Sequence, residues 1–165
     1  MDVSKAIRQR RSIRQYTKKV PKKEDVKKIL EAGIWAPSGL NNQPWKFKVV
    51  EEKAQREGLA AFTKYAAIIK NAPIVICVFL DNSATYNRDK DLMAIGAAIE
   101  NMLLTACELG LAACWLGEIL NKARDVEAYL KTDSDYELAA AVTLGYSDEE
   151  VTKGCRRAFK SFILP

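Results

Sequence analysis

The 165-residue chain contains no histidine. That absence removes Ser-His-Asp and Cys-His catalysis, His-ligated metal centres and a proximal-His haem. Cysteine is sparse too. Cys77, Cys107, Cys114 and Cys155 are widely spaced and form no Cys-x-x-Cys pair, so neither a zinc site nor a redox dithiol is indicated. The first three lie in apolar segments and read as buried thiols, whereas Cys155 stands beside Arg156 and Arg157, neighbours that favour a thiolate. No apolar run approaches a membrane span, and Met1-Asp2-Val3-Ser4-Lys5 lacks the apolar segment of a secretion signal, so a cytoplasmic protein is expected. An enzyme built this way takes its chemistry from a bound cofactor.

What is present suits one globular domain over 1–165: 48% hydrophobic and 28% charged residues. The net charge of +5 invites a nucleic-acid reading. Yet Lys18, Lys19, Lys22, Lys23, Lys27 and Lys28 alternate with Glu24, Asp25 and Glu31, the pattern of a helix's solvated face. No aromatic-basic RNA motif accompanies them, and no nucleic-acid partner is expected.

Periodicity predicts a short helix over 3–10, then a helix with Pro21 in its first turn and an apolar stripe of Val26, Ile29, Leu30, Gly33 and Ile34. Trp45, Phe47 and Val49 alternate with lysines as in a half-buried strand. A helical stretch over about 53–70 precedes the unbroken apolar run Ile74–Leu80, a central strand buried on both faces. Asp91–Leu109 reads as a helix apolar nearly all round and closed by Gly110. Leu111–Leu116 and Leu138–Leu144 read as strands flanking a charged helix near 121–131, and the tail is basic and then apolar through Phe159, Phe162, Ile163 and Leu164. Trp45 and Trp115 read as core aromatics.

Two segments carry chemistry. Arg10-Arg11-Ser12-Ile13-Arg14 packs three permanent cations and a hydroxyl into five residues, a donor set matched to phosphate. Pro37-Ser38-Gly39-Leu40-Asn41-Asn42-Gln43-Pro44-Trp45 combines turn chemistry with amides that can both donate to and accept from a flat heteroaromatic ring.

Together with Ala36-Pro37-Ser38, Asn41, Gln43-Pro44-Trp45-Lys46-Phe47, Glu108-Leu109-Gly110-Leu111, Cys114-Trp115-Leu116-Gly117 and Leu144-Gly145-Tyr146, these segments resemble the signature of the nitroreductase family of FMN-dependent oxidoreductases. The resemblance implies an α+β homodimer, with a central, mostly antiparallel mixed sheet flanked by helices and FMN in two sites at the subunit interface. It implies that Arg10, Arg11 and Ser12 hold the FMN phosphate and ribityl chain, that Arg14 lies toward the pyrimidine edge, and that Arg156, or its neighbour Arg157, returns from the tail to the phosphate. Pro37, Ser38, Gly39 and Asn41 of the other subunit would line the ring. Backbone N–H groups at Leu116, Gly117 and Glu118 would face the hydride-accepting nitrogen, with no side chain acting as the catalyst. The implied activity is ping-pong transfer of hydride from NADH or NADPH to a small nitroaromatic or quinone-type acceptor. The alternatives are flavin-fragmenting or reductive dehalogenating chemistry on the same fold, or a flavin or nucleotide binder without turnover. The stretch between Glu51 and Ala72 is short for a cover over the flavin, which implies an open site.

Overall fold

The computed structural model describes residues 1–151 and 153–164. The chain runs α1 (Val3–Gln9), α2 (Lys23–Ile34), β1 (Trp45–Val50), α3 (Lys53–Leu59), α4 (Ala66–Asn71), β2 (Ile74–Asp81), α5 (Arg88–Glu108), β3 (Ala112–Leu116), α6 (Ala123–Leu130) and β4 (Tyr136–Gly145), with short 3-10 turns between. This is an α+β fold. The four strands lie in the order β1-β2-β4-β3, and every pairing of neighbours is antiparallel. The parallel component expected of a mixed sheet is confined, among the described residues, to one isolated bridge between Ser12 and Ala113.

The run Ile74–Leu80 is the interior strand its composition predicts, and all of β2 is buried. Alternate residues of β2 feed two cores. Ile74, Ile76, Val78 and Leu80 join α2 and α5 on one face, and Val75, Cys77 and Phe79 meet α3, α4 and α6 on the other. Each such aliphatic side chain taken out of water contributes roughly 1.5–3 kcal/mol before conformational entropy is subtracted.

α5 starts three residues earlier than its apolar pattern predicts. Asn87 accepts from the Lys90 N–H (3.1 Å), and Asp89 and Asp91 occupy the positive end of the helix dipole. It stops where expected. Gly110 takes φ 71°, its N–H bonds Cys107 O (3.1 Å) and the Leu111 N–H bonds Ala106 O (2.8 Å), a Schellman closure that favours glycine.

Several predicted boundaries move. Pro21 lies before the extended residue Lys22 that caps α2, so it fixes the entry to the helix instead of sitting in its first turn, and Ile34 of the stripe is exposed. The helical stretch over 53–70 divides into α3, a 3-10 turn and α4, broken at the extended residue Thr63. The helix near 121–131 begins as a 3-10 turn over Glu118–Lys122. Trp45 is a core residue, but Trp115 is 42% exposed, because it sits on an edge strand with its ring over Gly96. Cys77 and Cys114 are buried and Cys107 is half-buried. The apolar tail residues Phe159, Phe162, Ile163 and Leu164 are exposed on the chain. Among the described residues no helix is long and apolar enough to cross a membrane.

Candidate functional site

After α1 the backbone becomes strand-like and adds itself to the free edge of β3. The Ile13 N–H donates to Ala113 O (3.0 Å) beside the Ser12 bridge. Period-two alternation then turns Ile13 inward and leaves Ser12 and Arg14 exposed. The segment is tied a second time through Tyr16, whose hydroxyl lies 2.7 Å from both Ile13 O and Thr143 Oγ1. Burial holds that phenol above its ordinary range, so it is a fixed neutral group.

A cleft of about 490 Å³ opens between α1, the last turns of α5, the start of β3 and the tail. Arg8, Arg10, Arg11 and Lys153 line it, with Cys107 and Glu149 among its other walls. Arg10 Nε lies 3.4 Å from Glu100 Oε1, yet it is buried and among the described residues has no hydrogen bond. Charge proximity survives a poor angle, whereas a hydrogen bond does not. Arg11 donates to Arg8 O (2.7 Å) and Arg10 O (2.8 Å), and its guanidinium fills the space into which a side chain on Gly154 would project, 2.5 Å from where a Cβ would stand. The tail therefore crosses the arginine cluster. Arg156, two residues on, is exposed, whereas Arg157 stacks on the Phe162 ring at 4.8 Å. Arg156 too is engaged locally, its Nη1 donating to Cys155 O (2.8 Å), so both candidates contact the tail itself.

At the other end of β3, Leu116 is buried and Gly117 is exposed, with open space where a side chain would project. Glu118 turns away. Its Oε2 accepts from Thr63 Oγ1 and from the Lys64 N–H (3.1 Å), bonds that hold the carboxyl below the usual carboxylate range, with the Thr63 hydroxyl contributing most. Glu118 is thus an anion at neutral pH and no proton donor. A carboxyl depressed in this way favours the folded state above its unfolded pKa and loses that contribution as pH falls through its folded value. Thr63→Val is expected to move the Glu118 titration up toward the ordinary range, as followed by carboxyl NMR; an unmoved titration would assign the depression to another cause. Three of the thiols are likewise shifted toward their protonated form. Burial pushes Cys77 up to about 12 and raises Cys107 and Cys114 against the opposing arginines.

The Pro37–Gln43 loop stands elsewhere. It leads into β1, the edge strand opposite β3, three strand spacings or roughly 14 Å across the sheet. Ser38 and Gly39 are half-buried, and Pro37 and Asn41 are exposed. Leu40, Asn41 and Gln43 have φ of 55°, 54° and 49°, a left-handed conformation costing roughly 1–2 kcal/mol for residues such as Leu40 and Gln43 and less for Asn41, whose short amide tolerates it. One chain therefore lines the cleft with Arg10 and Arg11 and sets Ser12 and Arg14 along the β3 edge whose far end carries Leu116 and Gly117, with the tail approaching Arg11, and it carries Pro37, Ser38, Gly39 and Asn41 on the opposite edge of the sheet. Sequence reasoning missed Glu100, Thr63, Asn42 and Asp91 as partners of these segments. The Asn41-Asn42 pair was the one visible signal, and nothing local distinguishes its two amides.

The nitroreductase family model matches residues 7–66 and 60–146. A protein of Archaeoglobus fulgidus, provisionally named an NADH dehydrogenase/NAD(P)H nitroreductase, is 34% identical over 88% of this chain and 86% of its own length. One of Methanothermobacter thermautotrophicus under the same provisional name is 38% identical over 71% of this chain, and the match spans 61% of that relative. Among solved structures, a provisionally named nitroreductase from Desulfovibrio desulfuricans in complex with FMN superposes with a TM-score of 0.95 at 46% identity, covering 100% of this chain and 96% of that one.

Proposed function

The chain belongs to the nitroreductase family, and from that premise we propose that it is an FMN-dependent oxidoreductase carrying reducing equivalents from NADH or NADPH to a small nitroaromatic or quinone-type acceptor in ping-pong fashion. The observation that carries the reading is the arginine cluster docked on the edge of β3 at a positively lined cleft, where the buried Arg10 Nε, ion-paired to Glu100, has no hydrogen bond among the described residues. Such a group fits a phosphate, which supplies the acceptor atoms that Glu100 does not reach in good geometry.

In this reading Arg10, Arg11 and Ser12 bind the phosphate and ribityl chain, and Arg14 lies toward the pyrimidine edge. Arg156 closes the phosphate site from the tail that crosses Arg11. When bound, FMN supplies the hydride chemistry. Gly117 follows the end of β3 exposed, and the open space there lets a ring approach the N–H groups of Leu116, Gly117 and Glu118. Backbone donors aimed at developing negative charge stabilise it without reorganisation. The side chains provide no proton, so the chain's role is to bind, orient and polarise.

In this reading the Pro37–Asn41 loop reaches the ring from a second copy, and the placement of the two segments on opposite sheet edges of one chain supports it. We therefore assign two shared sites to a homodimer. Exposed Met93, Ile7 and Trp35 and the apolar tail supply surface for a second copy to cover. The four free cysteines suit a cytoplasmic setting, and residues 1–165 act as one FMN-binding domain.

Purified protein should be yellow, carry one FMN per chain, sediment at twice the chain mass and bleach anaerobically on adding NADH or NADPH. Colourless protein that takes up no FMN removes the reading. A monomer with full FMN occupancy removes only the shared site.

A further inference from the structure

The strained conformation of the Pro37–Gln43 loop is not explained by its own contacts. Leu40 gains no burial from its left-handed backbone, since it is 87% exposed. The Asn41 N–H donates to Ser38 O (3.1 Å) and the Gln43 N–H to Ser38 Oγ (3.0 Å), but these bonds close the turn on itself. They shape the loop without fastening it to the fold. A second device must oppose relaxation toward negative φ.

That device is an amide and a carboxylate 49 positions apart. Asn42 Nδ2 donates to Ala84 O (3.0 Å) and to Asp91 Oδ1 (2.9 Å). Asp91 is fully buried in the first turn of α5, and its second oxygen accepts from the N–H groups of Tyr86 (3.1 Å) and Asn87 (3.2 Å). One carboxylate thus joins the loop to the start of the longest helix. The amide has a single workable orientation, because turning it over would set Oδ1 against two acceptors. Among the described residues its Oδ1 has no partner though it is buried, a cost borne to satisfy both acceptors. Tyr86 braces the same loop from the side: its phenol ring occupies the space that a Cβ on Gly39 would need.

We propose that Asn42 and Asp91 form a clasp that holds the Pro37–Gln43 loop in its strained form, making both of them positioning residues for the flavin face that this loop presents to the second subunit. The proposal rests on the functional reading above. Asn42 and Asp91 face each other and the start of α5. They act through the backbone of Pro37 to Asn41, which would swing as Leu40 and Asn41 relax.

The test is Asn42→Ala in the full-length holoprotein, a change that leaves Asp91 its two backbone donors at the α5 cap. The FMN Kd is expected to rise about tenfold as preorganisation is lost. The visible circular dichroism of the bound flavin should change, and amide exchange over residues 38–43 should quicken. A merely stabilising contact would lower the melting temperature without moving the flavin dichroism. Asp91→Asn provides a second variant: it cannot accept from all three donors, and it is expected to repeat the dichroism change at lower stability. Wild-type protein that takes up no FMN overturns the functional reading and the positioning role together. Wild-type protein that binds FMN, beside an Asn42→Ala protein with equal Kd, dichroism and exchange, overturns the clasp alone.

Discussion

Arg10→Ala is expected to raise the FMN Kd about 100-fold, equivalent to ~2.7 kcal/mol, while the protein stays folded. The magnitude is that of one or two charge-assisted hydrogen bonds to phosphate. The spared fold follows from geometry. Among the described residues the Arg10 side chain meets one carboxylate, Glu100, at 3.4 Å through Nε, and Glu100 is itself 44% exposed. A pair open to solvent on the carboxylate side and lacking a hydrogen bond contributes about 0–1 kcal/mol. The apoprotein's melting temperature should therefore shift little while fluorescence titration records weak binding. Arg10→Lys should fall between, since an ammonium keeps the charge but loses the planar fork. Equal FMN affinity in Arg10→Ala would return the cluster to solvent and remove the observation on which the functional reading stands.

Phe79→Ala should produce the largest loss of stability, about 4 kcal/mol. Phe79 is among the largest fully buried side chains, on the interior strand β2, opposite Leu138 at the register shift between Val78 and Phe79. It sits in the core beneath α3, α4 and α6 with Leu59, Ile69, Ile119 and Leu130. Strands bonded on both sides cannot readily close around the cavity left behind. Domains of this size are stable by only about 5–15 kcal/mol, so the variant should unfold at markedly lower urea with an unchanged slope. A loss below about 1 kcal/mol would mean that the lower core collapses freely and is less ordered than its burial indicates. Trp115→Ala, at a half-exposed edge position, should cost much less.

The contrast between those two aromatics shows how far periodicity reaches. Ile74–Leu80 was legible because seven apolar residues in a row fit a strand covered on both faces, and α5 because its buried positions recur at helical spacing up to the glycine that ends it. Burial there is a local pattern repeated many times. Trp115 lies in an equally apolar run but is partly exposed, because β3 is the sheet's edge, and strand order is not written in any one strand. The break at Thr63 was hidden likewise: its hydroxyl is claimed by Glu118, 55 positions away.

The candidate site divides along the same line. The sequence by itself determined the chemistry available: permanent cations and a hydroxyl at Arg10–Arg14, an amide-rich loop at Pro37–Gln43, and no histidine for a His-dependent mechanism. These are properties of side-chain types, which need no neighbours to exist. Only the tertiary structure decided that the two segments stand on opposite sheet edges, that Asn42 turns inward to Asp91 while Asn41 remains exposed, and that the tail crosses Arg11. Each depends on residues distant in sequence meeting in space, and hydrogen-bond geometry and strand order, unlike composition, come into being only when the chain folds.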